Sequence, residues 1–72
     1  MPRMANEALH EAVKIAGSQS ALSRLIGVTQ QHISHLLRTG KPVSAEQAVK
    51  IEKATGVPRH RLRPDLWESE AA

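Results

Sequence analysis

Residues 19–38 read QSALSRLIGVTQQHISHLLR, and this stretch decides the fold. It holds two short segments with apolar residues at helical spacing. Ala21, Leu22 and Leu25 recur in the first; Ile33, Leu36 and Leu37 recur in the second. Ile26, Gly27 and Val28 lie between them, too little chain for a loop with its own core. Gly27 falls where a helix end calls for a left-handed residue, which only Gly adopts without strain. Ile26 and Val28 flank it and can turn inward. Thr29 then stands at an N-cap position, its hydroxyl able to accept from amides of the next turn. Two short helices joined by a tight turn containing Gly make a helix-turn-helix.

The second helix of this pair has two faces. Ile33, Leu36 and Leu37 go inward, while Gln30, Gln31, Ser34, His35 and Arg38 are polar and largely outward. A helix placed in the major groove reads bases with side chains of its first two turns. Gln can bond adenine through N6 and N7 together. Thr29, Gln30, Gln31, Ser34 and His35 therefore form a base-reading set. On an isolated helix the two glutamines would read as solvent-exposed polar residues; inside this motif they read as contacts.

The spacing resembles the helix-turn-helix of the phage Cro and repressor superfamily. That pattern opens the first helix with Gln, sets Gly in the turn, follows it with an apolar residue and places two more on the second helix. Here these are Gln19, Gly27, Val28, Ile33 and Leu36. The segment TQQHISHL is similar to the recognition helix of lambdoid phage repressors, which opens Thr-Gln-Gln. Ser23 departs from the pattern, which usually has Ala there, but Ser is small enough to fit. The resemblance implies that Gln19 binds the DNA backbone. Free amides and the positive dipole end of a helix suit a phosphate oxygen there. Arg24, about a turn further on, is a second phosphate candidate.

Outward from this pair, Ser18 can cap the helix that Gln19 opens. Before it, a helix is predicted from about Glu7 to Ala16, with Asn6 as N-cap and Gly17 as stop. Leu9, Ala12, Val13 and Ala16 form its apolar stripe, with Ile15 beside it. Glu11 can pair with Lys14. Met1 to Ala5 read as frayed, and Arg3 as a possible arm residue. After the pair, Gly40 and Pro42 end the reading helix. Ser44 with Gln47 is a capping-box pattern that opens a fourth helix. Its apolar positions are Ala45, Ala48, Val49, Ile51 and Ala54, and Gly56 ends it. Lys41 stands just before that N-terminus and makes a further phosphate clamp with Arg38. Pro58 opens a last short turn at its first position. Leu62, Leu66 and Trp67 follow, with Trp67 either a core lid or a dimer contact.

LRPDLW at residues 62–67, with the preceding IEKATGV and AGSQSALSRLIGVTQQHIS, resembles the prophage Cro-like regulators of the YdaS group. The likeness covers residues 7–67. Many relatives carry Trp where this chain has Leu36, which leaves the core-facing role intact. Some members are described as antitoxin-like, so a protein-interaction module of a toxin-antitoxin pair is the alternative reading.

The chain has 72 residues, enough for one domain near the lower size limit for a single core. Trp67 is the only aromatic residue, so the core must come from Leu, Ile, Val and Ala. Without cysteine there is no disulfide and no thiolate metal site. His32 and His35 stand at i,i+3 with no acidic partner nearby and no HExxH pattern, so no metal is expected. No Ser/His/Asp grouping or phosphate-cradling Gly loop appears, and no enzyme is expected. No apolar run approaches the roughly 18 residues of a membrane span, which points to a cytoplasmic protein. Residues 1–64 carry all ten Lys and Arg against four acids; residues 65–72 carry three acids and no base. A basic body suits a polyanion. The expected molecule is an all-α, five-helix, lambda-repressor-like domain spanning residues 1–72, ordered from about residue 6 to 67. It would read operator DNA as a Cro-like repressor, without cofactor or small-molecule substrate, and pair weakly or only on DNA.

Overall fold

Short apolar repeats, each closed by a cap and a glycine, give short helices rather than long ones. The computed structural model describes residues 2–67, with side chains from Glu7 onward. Among these residues it is all-helical: α1 Pro2–Ala16, α2 Gln19–Ile26, α3 Gln30–Thr39, α4 Ala45–Thr55 and α5 Arg59–Leu62. The caps lie where the side chains require them. Ser18 Oγ accepts from the Ala21 amide at 3.0 Å, and Thr29 Oγ1 from the His32 amide at 3.1 Å. At α4 the box is reciprocal: Ser44 Oγ accepts from Gln47 N–H at 3.2 Å, and Gln47 Oε1 accepts from Ser44 N–H at 3.4 Å. Gly27 closes α2 at φ 74°, the left-handed region, and its amide donates to the Ser23 carbonyl.

One buried cluster joins all five helices. Ala8, Leu9 and Ala12 of α1 meet Leu22 and Ile26 of α2, Ile33 and Leu36 of α3, and Ala48 and Ile51 of α4. Val43, Val57 and Leu62 close it from the connections and α5. Ser23 is buried among them, and its hydroxyl donates to the Ser20 carbonyl at 2.7 Å. The small residue therefore fits with its polar group satisfied.

Several expectations need correction. Helix α1 begins at Pro2, so Asn6 lies inside the helix instead of capping it, and residues 2–5 are helical instead of frayed. Pro is tolerated in a first turn, where its missing N–H has no intrahelical partner to lose. Met1 and the Arg3 side chain lie outside the described residues. Leu25 is 56% exposed and Ile15 55%. In α2 the inward stripe is Leu22, Ser23 and Ile26; Leu25 falls roughly 100° round the helix from its middle. Ala45 and Ala54 are exposed as well. Glu11 pairs with Arg61 at 2.6 Å instead of Lys14, because α5 lies against α1. Pro58 is the N-cap of α5 instead of its first residue.

The C-terminal segment fastens the bundle. Arg59 Nε donates to Glu52 Oε1 at 2.8 Å, and its guanidinium stands 5.5 Å over the Trp67 ring. Arg63 grips both oxygens of Asp65 at 2.9 and 2.7 Å and donates to the Val43 carbonyl at 2.9 Å. Trp67 packs half-buried against the core, the lid arrangement, while Leu66 is exposed.

Candidate nucleic-acid interface

Helix α3 packs on α1 and α2, and its backbone comes close to neither α4 nor α5. Ile33 and Leu36 anchor it, which leaves its opposite face to solvent. The exposed side chains on that face are Gln30, Gln31, His35 and Arg38; Ser34 is half-buried. Gln30, Gln31, Ser34 and His35 stand at i, i+1, i+4 and i+5, one surface over the first two turns. Thr29, exposed at the head of the helix, uses its oxygen to accept from His32 N–H. Its hydroxyl proton remains able to donate. Each Gln offers an acceptor and two donors on one planar amide, the pattern a bidentate contact needs. The turn fixes where these groups point: Gly27 ends α2, Val28 is half-buried and Thr29 starts α3.

The four expected phosphate residues divide between two places. Arg38 and Lys41 flank the Gly40 turn, both exposed, and no carboxylate of the described residues lies within 4.0 Å of either. Lys41 precedes the α4 N-cap Ser44 by three residues, at the positive end of that helix. Gln19 is the first residue of α2, half-buried, at the corresponding end of its own helix. Arg24 lies about 7.5 Å further along the α2 axis. Its Nη2 donates to Ser20 Oγ at 3.1 Å, and it lines a groove with Lys50 and Lys53 of α4.

Three cations of the basic body are already engaged by carboxylates. Arg59, Arg61 and Arg63 pair with Glu52, Glu11 and Asp65. The Arg59 side-chain hydrogen bond holds the Glu52 carboxyl below its ordinary range. Arg63 does the same to Asp65, and Asp65 in turn raises Arg63. Arg61 and Glu11 stand 50 positions apart and Arg59 and Glu52 seven, so no local pattern announces those two pairs, whereas Arg63 and Asp65 are two apart. Arg24, Lys50 and Lys53 come together only in the folded chain. Lys50, Lys53 and Ala54 at i, i+3 and i+4 were the available signal for one face of α4.

A family model described as bacterial toxin YdaS matches residues 9–70. The Gene 30 protein of Enterobacteria phage phi80 is 34% identical over 64 residues, 88% of this chain and 88% of the phage protein. A protein of Escherichia coli (strain K12) named "Putative transcriptional regulator YdaS" is 33% identical over 63 residues. That alignment takes in 85% of this chain and 64% of the other. No solved structure matches the chain at a comparable level. With a family model aligned across residues 9–70 and relatives at 34% and 33% identity over most of the chain, the chain belongs to the YdaS family.

Proposed function

We propose that this chain is a transcriptional regulator that binds double-stranded DNA sequence-specifically, with α3 in the major groove. The observation that carries the reading is the α2–turn–α3 unit. A helix anchored on its inner face by Ile33 and Leu36 presents Gln30, Gln31 and His35 outward, all three exposed. Thr29, Gln30, Gln31, Ser34 and His35 read base edges. Gln19, Arg24, Arg38 and Lys41 hold phosphates and set the register. The E. coli relative's name supports the regulator role. The activity is binding, with no catalytic step and no cofactor, and it takes place with the DNA in the cytoplasm. Specificity comes from two copies on half-sites about one helical turn apart.

Selection of duplexes from a random pool tests this. An enriched motif should appear, and Gln30→Ala or Gln31→Ala should relax it at one position. A pool that stays random after repeated selection refutes the proposal.

The family's description as a bacterial toxin favours a second reading, harm to the host cell through another target. Growth on production of wild type and of the Gln30→Ala/Gln31→Ala protein separates the two. Toxicity that persists after base reading is lost belongs to the other target. The antitoxin-like alternative predicts instead that the chain neutralises a protein partner without DNA.

A further inference from the structure

The groove between the C-terminal halves of α2 and α4 is unused by the DNA-binding reading, apart from Arg24 at its rim. It has a volume of about 500 Å³ and is lined by Arg24, Leu25, Ile26, Lys50, Lys53 and Ala54, with Gly27 at one end. Its charge is one-sided: of the described residues, no carboxylate lies within 4.0 Å of Arg24, Lys50 or Lys53. Its surface is partly apolar, because Leu25 is 56% exposed beside exposed Ala54.

We infer that this groove docks an acidic segment of a partner protein, one that carries an apolar side chain between its carboxylates. Arg24 and Lys53 also sit in the last turns of α2 and α4, where a cation complements the helix dipole. That explains two charges. It explains neither Lys50 nor an uncovered leucine among them. Phosphate offers nothing to Leu25, whereas a leucine-bearing acidic segment matches both the charge and the apolar patch. Position agrees. Lys50 and Lys53 lie about 9 and 13.5 Å along α4 from Ser44, the end beside Lys41. Lys50 and Lys53 therefore stand apart from the Lys41 end of α4.

The test uses the full chain, labelled with ¹⁵N, and the synthetic peptide acetyl-Asp-Glu-Leu-Leu-Glu-Asp-amide as probe. Amide shifts should move at Leu25, Gly27, Lys50, Lys53 and Ala54, with weaker binding as salt rises. Replacing both leucines of the peptide by serine should weaken binding about fivefold or more, as should Lys50→Ser/Lys53→Ser in the protein. Leu25→Ser should give the same loss. All three positions are exposed, so these variants keep the fold, which the wild-type shift pattern of the core amides verifies. Four results overturn the inference. One is no groove shifts at millimolar peptide. Another is equal binding of the serine peptide, which means simple counter-ion exchange. A third is loss of DNA affinity with a shallower salt slope in Lys50→Ser/Lys53→Ser, which makes the groove a phosphate surface. The fourth is groove shifts that change on dilution of the protein alone, which makes the occupant a second copy.

Discussion

Lys41→Ala removes one of three cations, Arg24, Arg38 and Lys41, assigned to DNA phosphates. Each neutralised phosphate contributes about 0.9 to the slope of log K against log salt. Three such contacts predict a slope of about −2.7 for one bound copy and about −5.4 for two. Between about 50 and about 200 mM salt, affinity should then fall about 40-fold for one copy and about 1,800-fold for two. Without Lys41, one copy should show a slope of about −1.8 and a fall of about 12-fold. The protein itself should be unaffected: Lys41 is exposed and makes no ion pair with a described residue, so its stability should stay within about 0.5 kcal/mol of wild type. Fluorescence anisotropy with a selected duplex and a scrambled duplex, each titrated across salt, gives both slopes. A phosphate contact weakens the two duplexes equally. An unchanged slope removes Lys41 from the interface. A loss confined to the selected duplex would make it a base reader, and the division between α3 and the Gly40 turn would fail.

Gln30→Ala and Gln31→Ala should each cost about 1–3 kcal/mol on the selected site and relax one position, with urea midpoints unchanged because both side chains are exposed. Gly27→Ala should destabilise by about 1 kcal/mol: a left-handed alanine costs about 1–2, and a stiffer unfolded chain returns part of it. Chain neighbours aside, no atom of the described residues lies within 4 Å of the added Cβ, so a cost above about 3 kcal/mol in urea denaturation would show that strain alone is the wrong explanation. Glu52 titrates low when folded because Arg59 bonds it, so its contribution is present above the unfolded value of about 4.3 and is lost as pH falls through the lowered one. Trp67 fluorescence under acid should accordingly show Glu52→Gln with a shallower loss of stability below about pH 4 than wild type; parallel curves would discount the pair. Sedimentation should show a monomer or weak dimer, and titrations on one and two half-sites should show cooperative pairing; a tight nanomolar dimer or independent occupancy would refute it.

The fold was legible where the chemistry is local. Ser18, Thr29 and Ser44 cap the amides their positions dictated, and Gly27 takes the left-handed conformation its place required. Periodicity likewise found Leu22, Ile33 and Ile51. What it misread were residues whose burial depends on a neighbour. Leu25 has the right spacing, but α2 is eight residues long and offers the core one narrow stripe. The start of α1 was misplaced because Asn6 makes a good cap and an acceptable interior residue alike, and local chemistry does not choose between them. The outward face of α3 followed from its inward one. The sorting of the basic residues did not, since it depends on which carboxylate the folded chain brings alongside.

That sorting bears on function. Ten Lys and Arg suggest a broadly polycationic surface, yet Arg59, Arg61 and Arg63 serve to fasten α5 and Trp67 over the bundle. A guanidinium held by a carboxylate is a poor phosphate ligand, because the phosphate would have to displace a partner already in place. The cations left without an ion pair among the described residues separate by position: Lys14 on α1, Arg38 and Lys41 beside the exposed face of α3, and Arg24, Lys50 and Lys53 around the groove between α2 and α4. Few phosphate contacts per copy mean weak non-specific attraction, so one copy on one half-site would be held chiefly by Gln30, Gln31 and their neighbours. On the proposed DNA-binding reading, so small a footprint would gain selectivity by being doubled, and cooperative occupancy of paired half-sites is the expected outcome.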